Sequence, residues 1–116
     1  MNPGVLFLIT TDPRTSPRPA EAVRIAAGLA AWRKLAVTVC LREPAVLALS
    51  EFPEELTDGD NFSRYLPLVT ESGGRVCAQR NAPLLRVIGQ AAVPYREIND
   101  EELATLVSET DYLIRF

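Results

Sequence analysis

Val5-Leu6-Phe7-Leu8-Ile9-Thr10 is an unbroken apolar run of strand length. A strand with one face in water alternates apolar and polar residues, and this one does not. Continuous apolarity implies cover on both faces, the condition of a strand inside a parallel sheet. Ala36-Val37-Thr38-Val39-Cys40-Leu41, short and β-branched, repeats the pattern. Between the two, Pro17 to about Lys34 reads as a helix. Its apolar stripe is Ala22, Ile25, Ala26, Leu29 and Trp32, with Trp32 closing the core at the helix end.

The rest of the chain continues the alternation. Arg42-Glu43-Pro44 ends the second strand and opens a short apolar helix, Ala45 to Leu49. Ser50 to Asp60 holds Glu51, Glu54, Glu55, Asp58 and Asp60 with Pro53 and Gly59, the composition of a solvated loop. These carboxylates lack the spacing of a calcium loop, so no metal site is expected. Asn61 to Ser72 reads as a helix capped by Asp60 and stopped by Gly73-Gly74. A third strand follows, so short that Val76 is its one fully buried residue, and it stops at Cys77. Pro83 to Ile88 reads as a further helix, stopped at Gly89. Val93 to Ile98 is a fourth, edge-type strand, weakened by Pro94, which has no amide to donate. Asn99-Asp100-Glu101-Glu102 is a capping-box pattern ahead of a last helix striped by Leu103, Leu106 and Val107. Asp111 to Phe116 closes the chain as a strand. Strands separated by helices cannot be hairpins, so right-handed parallel crossovers follow. The expected architecture is a three-layer α/β/α sandwich of about five mostly parallel strands, flavodoxin-like in plan, in one domain over residues 1–116.

Composition narrows the function. The chain has 116 residues, a hydrophobic content of 47% and a formal net charge of −3, which gives no electrostatic case for a nucleic-acid partner. No apolar run approaches the roughly 18 residues that span a bilayer, and no membrane association is expected. Met1-Asn2-Pro3-Gly4 carries no basic leader region, so the expected location is cytoplasmic. With 0 histidines, a Ser/His/Asp or Cys/His nucleophile system is excluded. Two cysteines fall short of the four ligands of a structural zinc site, and nothing calls for a cofactor. Cys40, between Val39 and Leu41, reads as a core thiol, and a disulfide to Cys77 is unexpected in a reducing compartment.

The candidate site residue is Cys77. At the end of a strand and before a helix it stands where open α/β sheets place chemistry. Free amides near Asn81-Ala82-Pro83 and the guanidinium of Arg80 or Arg75 would favour its thiolate. A second candidate site is formed by loops: Thr11 and Asp12 after the first strand, Arg42 and Glu43 after the second. The first of these loops, with Thr10, Thr15 and Ser16, lies where flavodoxin-like folds hold phosphate, yet it lacks glycine and carries two prolines.

Four stretches together resemble the DsrE/DsrF-like family of sulfur-relay proteins, and within it the TusD-type subunits. They are the opening strand Val5 to Thr10 with its alanine-rich helix, the turn Leu41-Arg42-Glu43-Pro44-Ala45-Val46, the segment Gly74-Arg75-Val76-Cys77-Ala78, and the closing stretch Glu101 to Phe116. The resemblance implies a persulfide relay in which Cys77 accepts sulfane sulfur from a donor protein and passes it to an acceptor. It also implies trimers or hexamers, built as homo-oligomers or with related subunits. Arg42 and Glu43 match the family's turn in residue type and are equally open to an intrachain pair. Two other readings stand beside the relay: a non-catalytic assembly or regulatory subunit of the same fold, and a small-ligand binder for phosphate or a nucleotide.

Overall fold

The computed structural model describes residues 2–116; Met1, the first residue of the Met1-Asn2-Pro3-Gly4 stretch read above, lies outside them. Its strands are β1 (Gly4–Ile9), β2 (Ala36–Leu41), β3 (Arg75–Gln79), β4 (Arg96–Ile98) and β5 (Tyr112–Arg115). The helices are α1 (Arg18–Trp32), α2 (Asp60–Glu71) and α3 (Asp100–Glu109), with 3₁₀ turns at Ala45–Leu49, Pro53–Glu55 and Pro83–Arg86. The sheet runs β4-β3-β2-β1-β5, every pair parallel. This is the expected three-layer α/β/α sandwich. Among the described residues no helix is long and apolar enough to cross a membrane.

The side-chain period of a strand divides the sheet into two unlike faces. On the first, Val5, Phe7, Ile9, Val37, Val39, Leu41, Val76 and Ala78 pack against α1, α2 and the Ala45–Leu49 turn. Ala20, Ala22, Val23, Ala26, Ala27 and Ala30 make the buried side of α1, so the helix seats closely. Ile25 and Leu29 fall to the flank of this small-residue stripe, and Trp32 is 58% exposed. The expectation that Trp32 closes the core is therefore corrected: alanines, not the bulky residues, set the rotation of α1. The second face carries a smaller cluster of Leu6, Cys40, Cys77 and Ile98 under Leu103, Leu106 and Val107 of α3. No residue of α3 is fully buried.

Several boundaries differ from the sequence reading. Gly59 holds the cap position of α2, because the Pro53 carbonyl leaves no room there for a side chain, and Asp60 falls inside the first turn. Its carboxylate then sits at the positive helix end without capping it. Gly73 turns the chain out of α2 with φ +90°, and a Cβ on Gly74 would stand 2.7 Å from the Val69 carbonyl oxygen. The third strand is longer than expected. Val76, Cys77 and Ala78 are all buried, and Cys77 lies at the middle of β3, not at its end. The expected helix from Pro83 to Ile88 is one 3₁₀ turn ending at Arg86, with its apolar residues in the first-face core.

The capping box is formed as read: the Glu102 amide donates to Asn99 Oδ1 at 2.8 Å, and the Asn99 amide donates to Glu102 Oε1 at 3.0 Å. Asn99→Ala should therefore lower the unfolding free energy by about 1 kcal/mol. Trp32→Ala, a large change at an exposed site, should stay within about 0.5 kcal/mol. Urea denaturation of the two variants beside the parent chain checks both.

Candidate functional site

Strand β4 is three residues long, and this shortness makes the site. Its register with β3 is Cys77↔Arg96, Ala78↔Glu97, Gln79↔Ile98, so Arg75 and Val76 have no partner on that side. Pro94 cannot extend the ladder toward them. Where the missing half-strand would run there is a pocket of about 580 Å³, within the usual range for small-molecule sites. Arg75, Val76 and Cys77 of β3, Tyr95 and Arg96 at the start of β4, and Leu106 of α3 are among the residues that wall it. Cys77 is 6% exposed and borders this space; Cys40 is 0% exposed and does not.

The electrostatics differ from the sequence expectation. Burial pushes the Cys77 thiol above its ordinary value, while the charges of Arg75 and Arg96 pull it down and Glu102 adds to the rise. The neutral thiol is the resting form at neutral pH. The expected turn after β3 does not compensate: Pro83–Arg86 belongs to the opposite face, and its Leu84 amide donates to Glu43 Oε2 at 3.4 Å. Cys40 is pushed up to about 12, first by burial and then by the nearby Cys77. Arg96 donates to Glu102 Oε2 at 2.9 Å, and Arg80 stands 3.8 Å from Glu102 Oε1. The Glu102 carboxyl is held below its usual value by the Asn99 amide first, with Arg80 and Arg96 adding to it.

Of the candidates named from sequence, only Cys77 and Arg75 meet at this pocket. Arg80 reaches Glu102 from the strand end. Asn81, in the left-handed region at φ 62°, uses its amide to donate to Glu97 Oε1 at 3.3 Å. The loop candidates form a separate group with structural partners. Arg42 pairs with Asp100 at 2.9 Å rather than with Glu43, whose amide donates to Gln79 Oε1 at 3.0 Å. Asp12 accepts from the Arg14 amide at 2.9 Å and pairs with its guanidinium at 2.8 Å, and this hydrogen bond holds its carboxyl low. Thr11 is half-buried beside it. The amides of Arg14, Thr15, Ser16 and Arg18 are all taken within the loop, so they are not displayed to a phosphate. Sequence reading missed Tyr95, Arg96, Glu102 and Leu106 as pocket residues. The one available signal was Pro94, which shortens β4.

No protein-family model matches the sequence, and no curated protein matches it. Four chains among the solved structures match. One is the crystal structure of the YchN protein from E. coli, with a TM-score of 0.76 and 21% identity over 100% of both chains. The two share the three-layer α/β/α fold. At this identity the likeness carries the fold and stops there.

The geometry gives a distinct reactivity order. Iodoacetamide should modify Cys77 slowly at neutral pH and faster at each step beyond pH 9.0, the ordinary thiol value, while Cys40 reacts only after denaturation. Arg75→Gln removes a charge that favours the thiolate, so the pKa rises further. Labelling at fixed pH should slow about two- to fivefold, the scale of one partly screened charge. Peptide mass spectrometry of timed, quenched samples measures all three.

Proposed function

We propose that this protein carries sulfane sulfur on Cys77, receiving it in the pocket beside β4 and handing it to an acceptor. The supporting observation is the position of the thiol: it stands on the wall of a pocket otherwise lined by apolar groups, hydroxyls, two guanidiniums and two carboxylates. A thiolate there attacks the outer sulfur of a donor persulfide; a new Cys77 S–S bond forms, and the donor leaves as its thiol. Arg75 and Arg96 stabilise the attacking anion and the anionic persulfide that results, which ionises more readily than a thiol. In the free protein burial keeps the thiol protonated, so loading is slow near neutral pH and quickens as the thiolate forms at higher pH. Sequence resemblance to TusD-type subunits and the DsrE-like fold agree with this reading. They favour a cytoplasmic protein that works with donor and acceptor proteins, as a trimer or hexamer of itself or with related subunits.

A second reading has its own observation. The buried thiol, pushed by desolvation toward its protonated form, suits an assembly or regulatory subunit that transfers no sulfur.

The two readings separate on exposure to inorganic polysulfide followed by alkylation within the first minutes. The relay reading expects one added sulfur on the peptide Val76–Arg80 and none in Cys77→Ser. An unmodified Cys77 at every time point and pH tested refutes it in favour of the assembly subunit.

A further inference from the structure

The core cluster under α3 contains a second thiol that the relay leaves unused. Cys40 and Cys77 are register partners on adjacent parallel strands. Both point to the same face, into one cluster with Leu6 and Ile98. Neighbouring strands lie about 4.8 Å apart, so the two Cα atoms fall inside the window of about 4.4–6.8 Å that a disulfide bridges. The cysteines are free in this structure. Cys77 borders the pocket and Cys40 does not, so an external donor meets Cys77 first. This order of access, outer acceptor and inner neighbour, is that of a thiol pair with an attacking and a resolving member.

We propose that Cys40 resolves a persulfide held on Cys77, closing an internal disulfide and expelling the carried sulfur as sulfide. The inference rests on the reading of Cys77 as a sulfane acceptor. In the step, Cys40 Sγ attacks Cys77 Sγ. The bond between Cys77 Sγ and the terminal sulfur breaks, and its electron pair leaves with that sulfur as hydrosulfide. The proton lost by Cys40 converts the hydrosulfide to hydrogen sulfide. Two cysteine sulfurs are oxidised to one disulfide, and the sulfane sulfur, the only oxidant required, is reduced to sulfide. Two equivalents of an external thiol reopen the bond and emerge as its disulfide.

Closure competes with hand-over. Cys40 is held almost wholly protonated by its surroundings, so its attack is slow despite proximity. A loaded Cys77 therefore has time to meet an acceptor. Without one, the sulfur is discharged and the carrier is locked until reduced. The pair acts as a timer on the carried sulfur.

The test incubates the full chain with inorganic polysulfide, removes the donor, and follows intact mass, released sulfide and non-reduced tryptic peptides to constant composition. Cys40→Ser and Cys40→Ala run in parallel. The expected result is an early gain of one sulfur in all three proteins. In the parent chain this gain then converts to a loss of two hydrogens, with one sulfide released per chain and Leu35–Arg42 linked to Val76–Arg80. The Cys40 variants keep the added sulfur. If the parent chain also keeps it, with Cys40 open to alkylation after denaturation, the resolving role is overturned and the carrier reading stands. If no protein gains sulfur and no linked peptide forms, both fall. The linked peptide is read on the unmutated chain, so the result holds even if a Cys40 variant fails to fold.

Discussion

A parallel sheet has to be roofed on both faces, and here the two roofs are unequal. Two helices and an apolar turn cover the first face and bury it completely around Phe7, Phe62 and Leu66. The second has one helix of ten residues, none fully buried, over a strand set whose edge member is three residues long. Everything specific about the molecule sits in that deficit. The pocket is the place where cover runs out, and the Cys77 thiol borders it. Leu8 and Leu113 complete the same face half-buried.

Reactivity at Cys77 is a contest between two physical effects. Desolvation favours the thiol; Arg75 and Arg96 favour the thiolate, and desolvation prevails. Other thiol proteins settle this contest with a helix N-terminus, whose amides hold the anion. Here the turn that follows β3 lies on the far face, where the Glu43 carboxylate already occupies one of its amides. Glu43 and Arg42 thus do scaffold work. The first ties the turn after β3 to the end of β2, and the second ties β2 to the start of α3.

Much of the layout was legible before any coordinates. Val5 to Thr10 and Ala36 to Leu41 announce buried parallel strands because nothing polar interrupts them beyond a threonine. Asn99 and Glu102 announce a helix start because the capping box is a local hydrogen-bonded device. The site was less legible, for reasons of dimension. Cys77 looked terminal because Ala78 and Gln79 are poor strand formers in isolation; pairing with both β2 and β4 extends the strand through them. Arg96, Glu102 and Leu106 meet Arg75 only through strand pairing and the crossover of α3, which no spacing along the chain encodes. Trp32 breaks the usual link between size and burial, because the close approach of α1 demands small residues.

The helix over the second face is fastened at both ends. At its start, Asp100 is held by Arg42 and Glu102 by Arg96; just past its end, Thr110 Oγ1 and the Asp111 amide both donate to the Gly4 carbonyl at 3.0 Å. The Gly4 amide returns a bond to Asp111 Oδ2 at 2.7 Å. A beam moored so cannot lift like a lid without breaking one set of moorings. Access to the thiol is then through the pocket beside β4, walled by Tyr95 and Arg96 on one side and Leu106 of the helix on the other. The doorway, more than the thiol, then decides what the protein can meet.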